Sequence, residues 1–103
     1  MQPEMAAARV SLLRDLEQHP VTSGLYVRVH GKNLVVGREE PWGSEGEMIR
    51  DDRVRLTRHN SHNYSLSVKR HTGRWETTPF QGTISEMVDV MRSIMQHLVA
   101  PWG

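Results

Sequence analysis

Between Arg53 and Thr78 the aliphatic residues keep a parity that few folds can satisfy. Val54 and Leu56 alternate with polar neighbours, as do Tyr64, Leu66 and Val68, and a period of two is the mark of a strand with one face buried. The two sets must share a face, because a one-residue slip sends every side chain to the opposite side. A two-residue connection would set Leu56 against Ser65. Three residues, Asn60-Ser61-His62, set Leu56 opposite Leu66 and Val54 opposite Val68. The segment therefore reads as strand 53–59, loop 60–62, strand 63–71, a Thr72-Gly73 turn and strand 74–78, ended by Pro79. That turn predicts Arg70 opposite Trp75, with Trp75 on or beside the core side under the Arg70 guanidinium.

The same reasoning sets a first hairpin. Leu25, Val27 and Val29 alternate with Tyr26, Arg28 and His30, and Leu34 and Val36 continue the apolar set. Pairing Val29 with Leu34 and Val27 with Val36 leaves Gly31-Lys32 as the connection. Gly in the first central position suits a type II′ turn, which needs positive φ there.

Helices flank these strands. Pro3 opens a run to His19 in which Met5, Leu12, Leu13 and Leu16 form an apolar stripe, and Pro20 stops it. Thr83-Ile84-Ser85-Glu86 is a capping box. The helix after it is apolar over half its wheel, from Ile84, Met87 and Met91 through Ile94, Met95, Leu98 and Val99. Such an arc exceeds the roughly 100° that a surface helix needs, so the excess is expected to meet the first helix or a second subunit. Between 39 and 52 periodicity vanishes. Glu39, Glu40, Glu45, Glu47, Asp51 and Asp52 crowd around Pro41, Trp42 and Gly43, and the stretch reads as a long acidic loop.

One α+β domain spanning 1–103 follows: helix, five-stranded antiparallel meander, helix, with both helices on the apolar face and residues 100–103 as a flexible tail. That order of elements is similar to frataxin-like proteins. The likeness covers element order alone. The acidic first helix through which that family holds iron has no counterpart here, since it offers only Glu4, Asp15 and Glu17, interspersed with Arg9 and Arg14. No residue and no activity is carried over.

The functional readings start from charge. A net charge of +1 argues against a generic polyanion binder, yet the outward sheet face collects Tyr26, Arg28, Arg53, Arg55 and Lys69. Arg53 falls opposite Lys69, with Glu76 on the other side of Lys69. Nucleic-acid-binding sheets use several stacking aromatics, and only Tyr26 is expected on this face. The absence of Cys removes thiolate nucleophiles and cysteine metal sites. His59, His62 and His71 cluster in sequence, but His71 lies at the far end of its strand, roughly 25 Å away at 3.3 Å per residue. They read as turn histidines, not metal ligands. No Gly-rich phosphate loop, His-Glu-x-x-His or Gly-x-Ser-x-Gly is present, and no catalytic residue or cofactor is assigned. Met87, Met91 and Met95 read as core filling, with an adaptable groove as the alternative.

The resulting expectation is a non-catalytic protein-interaction module that self-associates as a homodimer. It binds through Trp42, a loop aromatic suited to anchor an interface, and a sheet or helix surface. Anion or nucleic-acid binding through Arg28, Arg53, Arg55 and Lys69 is the alternative, and a small enzyme without a recognisable motif is a third. No signal-peptide pattern or membrane-spanning run is seen, which suggests the cytoplasm.

Overall fold

A computed structural model describes residues 2–101. Helix α1 (Pro3–Leu16) precedes strands β1 (Tyr26–His30), β2 (Asn33–Trp42), β3 (Glu47–Asn60), β4 (Asn63–Lys69) and β5 (Trp75–Gly82), followed by α2 (Ile84–Ser93) and the short α3 (Gln96–Val99). The strands form one antiparallel sheet in the order β1-β2-β3-β4-β5, and the helices pack on one face of it.

The expected registers hold where the aliphatic residues are dense. Val27 pairs with Val36, Val29 with Leu34, Leu56 with Leu66 and Val54 with Val68. Gly31 takes φ +61° while Lys32 stays at negative φ, as the type II′ turn requires. The β3–β4 connection is a two-residue turn, Ser61-His62, with a bulge before it, so the net offset equals that of a three-residue loop. Val27, Leu34, Val36, Val54, Leu56 and Leu66 are buried against Leu12 and Leu16 of α1 and Met87, Val88 and Met91 of α2. Both arms of the Thr83–Glu86 capping box form, at 3.2 and 2.9 Å. On the exposed edge of β1, the Arg9 Nε donates to the Val27 carbonyl at 2.7 Å and so covers part of it.

Four expectations need correction. Residues 39–52 are not a loop: β2 and β3 continue through them as a hairpin arm, from Arg38 opposite Asp51 to Trp42 opposite Glu47. Polar composition hid the strands, because outside the core neither face of a ribbon has to be apolar. Second, Lys69, not Arg70, pairs with Trp75, so Trp75 lies on the outer face and Arg70 begins the turn. The row of Arg53, Lys69 and Glu76 therefore does not exist; Glu76 pairs with Val68 and bonds Arg70 at 3.2 Å. Third, β5 runs past Pro79, because an edge strand tolerates a missing N–H and a register irregularity opposite Leu66 takes up the extra residues. Fourth, the last helix breaks after Ser93. Met95 is buried and Ile94 is left exposed. The sheet and α1 cover most of the wide apolar arc, which removes the reason for a second subunit on that face. Met87, Met91 and Met95 are core, not groove.

Candidate functional site

A bulge decides what each side of the sheet carries. Val36 pairs with Val54, but the next pair is Gly37 with Asp52, so Arg53 is the extra, bulged residue of β3. The extra residue reverses parity beyond it. Asp52 points outward and Arg53 turns under the helices, the opposite of the outward position expected for Arg53.

On the helix side this gathers four charges. Arg53, only 5% exposed, donates to Glu40 at 3.0 Å, to Asp51 at 3.0 Å and to the Ala100 carbonyl at 2.9 Å. Arg38, also buried, donates twice to the Val99 carbonyl and once each to Val21 and Ser23 carbonyls, all within 3.1 Å. The pair thus ties the end of α3 and the α1–β1 link to the base of the arm. Burial, then the nearby Arg53, lowers the Arg38 pKa from its ordinary value. Ala100, expected to begin a loose tail, is one of the groups held; Trp102 and Gly103 lie outside the described residues.

On the outer side, Tyr26 reaches across β2 to Asp52 because Gly37 has no side chain. A Cβ there would lie 2.4 Å from the Tyr26 hydroxyl and 2.2 Å from the Asp51 carbonyl oxygen. The Tyr26 hydroxyl donates to Asp52 Oδ1, and Arg28 Nη2 donates to Asp52 Oδ2 at 2.7 Å. Burial would raise the Asp52 pKa, but the bonds from Arg28 and Tyr26 hold it below the ordinary value. Burial first, then the bond to Asp52, raises that of the Tyr26 phenol. Arg50 lies over the Tyr26 ring at 5.4 Å and bonds Glu39. Arg55 stacks on Trp75 at 4.7 Å, and among the described residues its buried Nε has no hydrogen-bond partner.

The expected basic face is therefore largely neutralised. Arg28 is engaged by Asp52, Arg53 is buried and Arg55 is laid on an aromatic ring. Among the described residues Lys69 has no ion-pair partner within 4.0 Å. Trp75 is the aromatic that sequence reasoning placed on the wrong side; the Arg70-to-Arg74 hydrogen bond closing the turn one residue earlier is what moved it. Trp42 ends β2 at the tip of the arm, 63% exposed, and Met48, which pairs with Pro41 one rung away, is 55% exposed. Tyr26, Arg28, Arg55 and Lys69 share one face, and Trp42 stands apart from them.

Where the arm leaves the body, an open groove of about 480 Å³ runs between β3, the β4–β5 turn and α3. Lys69, Arg70, His71 and His97 line it opposite Asp51 and Asp52. Among the described residues no three His, Asp or Glu side chains converge on a possible metal position. Ser61, His62 and Asp15 border another groove, where Asp15 accepts from Ser85 at 3.0 Å; among the described residues no hydrogen bond joins His62 to Asp15 or to a serine. No helix of the described residues is long and apolar enough to cross a membrane.

Comparison with protein-family models, with curated proteins and with solved structures finds no match. The element order shared with frataxin-like proteins therefore carries no family assignment.

Proposed function

We propose that this protein is a non-catalytic interaction module and that the β2–β3 arm is the part that meets its protein partner. The observation that carries this reading is the exposure of Trp42 and Met48, two large apolar side chains in adjacent rungs, on opposite faces of the ribbon end, each more than half exposed. Tryptophan is enriched among residues that dominate binding energy, and methionine adapts its shape to a partner. The buried Arg38 and Arg53 cluster supports the reading from below, since it holds the base of the arm against the C-terminal helix. Binding to nucleic acid ranks lower because Arg28 and Arg53 already have carboxylate partners.

The test places benzoylphenylalanine at position 42 and irradiates the protein in extract of its source cells. A discrete cross-linked species is expected, suppressed by excess wild type but not by the Trp42→Ala, Met48→Ala double variant. Equal suppression by both competitors, or no adduct, rejects the arm as the interface. Because both residues are exposed, the double variant keeps its melting temperature within a few degrees, corresponding to about 0.5 kcal/mol.

A further inference from the structure

The arm leaves backbone unpaired on both sides. Residues 47–52 of β3 pair with β2 alone, because the β3–β4 ladder starts only at Val54 opposite Val68. Residues 38–42 of β2 pair with β3 alone, because β1 starts at Tyr26 opposite Gly37. The two free edges differ. Pro41 sits in the β2 edge, and a proline within a ladder turns its missing N–H toward the free side, which blunts that edge. Among the described residues no proline and no added strand protects β3 from Glu47 to Asp52. This edge is about 20 Å long at 3.3 Å per residue.

The β3 edge also has a wall of defined chemistry. At its Asp51–Asp52 end it opens into the 480 Å³ groove, whose far side carries Lys69, Arg70, His71 and His97. Across the groove, Asp52 is committed to Tyr26 and Arg28, and Asp51 to Arg53. Arg70 is paired with Glu76, so among the described residues the uncommitted charge at this end is that of Lys69.

We infer that this edge accepts an extended acidic peptide segment of the partner protein, added as a strand beside β3 residues 47–52 with a carboxylate at the groove end on Lys69. This rests on the interaction reading above and deepens it by naming the partner's chemistry. Main-chain hydrogen bonds to the edge supply affinity, and the basic wall selects the acidic sequence.

The experiment titrates the full chain with a labelled peptide of about eight residues alternating threonine and glutamate, the length that covers the edge. Two control peptides accompany it: one N-methylated at alternate residues, which keeps the charge and loses strand hydrogen bonds, and one with lysine for glutamate. Binding is expected for the glutamate peptide alone. It should weaken about tenfold on Lys69→Glu and less on Lys69→Gln, and bring protection from amide exchange to residues 48–52. Equal binding of the N-methylated peptide would reduce the site to diffuse electrostatics and overturn the proposal. So would no binding near 1 mM, or a sedimenting dimer whose 48–52 amides are protected without peptide. If the Trp42 cross-link forms while the peptide fails, strand addition is wrong and the arm still meets its partner.

Discussion

Asp52 and Arg53 are consecutive, yet they serve two clusters with opposite physics. On the outer face Asp52 joins Tyr26 and Arg28 where water still reaches; the Arg28 side chain is 41% exposed. On the helix face Arg53 joins Glu40 and the Ala100 carbonyl where water scarcely reaches, the Arg53 and Glu40 side chains being 5% and 9% exposed, with Asp51 at the rim. In the first, each partner has solvent as an alternative, so each bond adds little net stability. In the second, removing one member strands charges already taken out of water. Formal charge says little until the dielectric around it is known.

The sharpest way to break this contrast is Arg53→Ala, expected to cost about 3–5 kcal/mol in urea unfolding because Glu40 is left buried beside a lost cation. Arg53→Met together with Glu40→Met should recover a large part of that loss. If Arg53→Ala costs under about 1 kcal/mol, the inner cluster is no different from the outer one.

Gly37→Ala comes next. The added Cβ meets backbone at 2.2 Å, so β2 and β3 must separate locally, with an expected loss of about 1–3 kcal/mol and a changed fluorescence of Tyr26. Tyr26→Phe is milder, about 0.5–1.5 kcal/mol by thermal melting, since one hydrogen bond to Asp52 is lost and Arg28 remains.

The outer cluster also has a pH signature. The folded-state Asp52 pKa lies below the ordinary value, so its contribution is present above the unfolded pKa of 3.8 and is lost as pH falls through the folded value. Wild type should lose stability relative to Asp52→Asn as acid is added below about pH 4, and the two curves should run parallel above about pH 6. The smallest stability effect belongs to the exposed arm tip, where Trp42→Ala changes binding and scarcely changes melting.

Much of this was legible because burial enforces parity. Val54, Leu56, Leu66 and Val68 had to face one way, and they do. Gly31 in the first hairpin and Thr83 before α2 announced their local geometry through backbone chemistry. The arm was not legible, because a ribbon outside the core needs no apolar alternation and Pro41, Gly43 and Gly46 imitate a loop. Nor was the face of Arg53, since nothing in Asp51-Asp52-Arg53 marks which residue bulges. Of the candidate site, Tyr26, Arg28, Arg55 and Lys69 lie on the outer face as read, Arg53 does not, and Trp75 joins them unforeseen.

By itself the amino-acid order determined the succession of helix, five strands and helix and the two registers that aliphatic side chains enforce, because those depend on short-range periodicity and turn stereochemistry. Tertiary structure alone decided where β3 takes its extra residue, and with it which charges are buried and which edge stays open. Those outcomes turn on energy differences between groups far apart in sequence: Arg53 is stabilised by Glu40 and by Ala100, and no local pattern announces such partners.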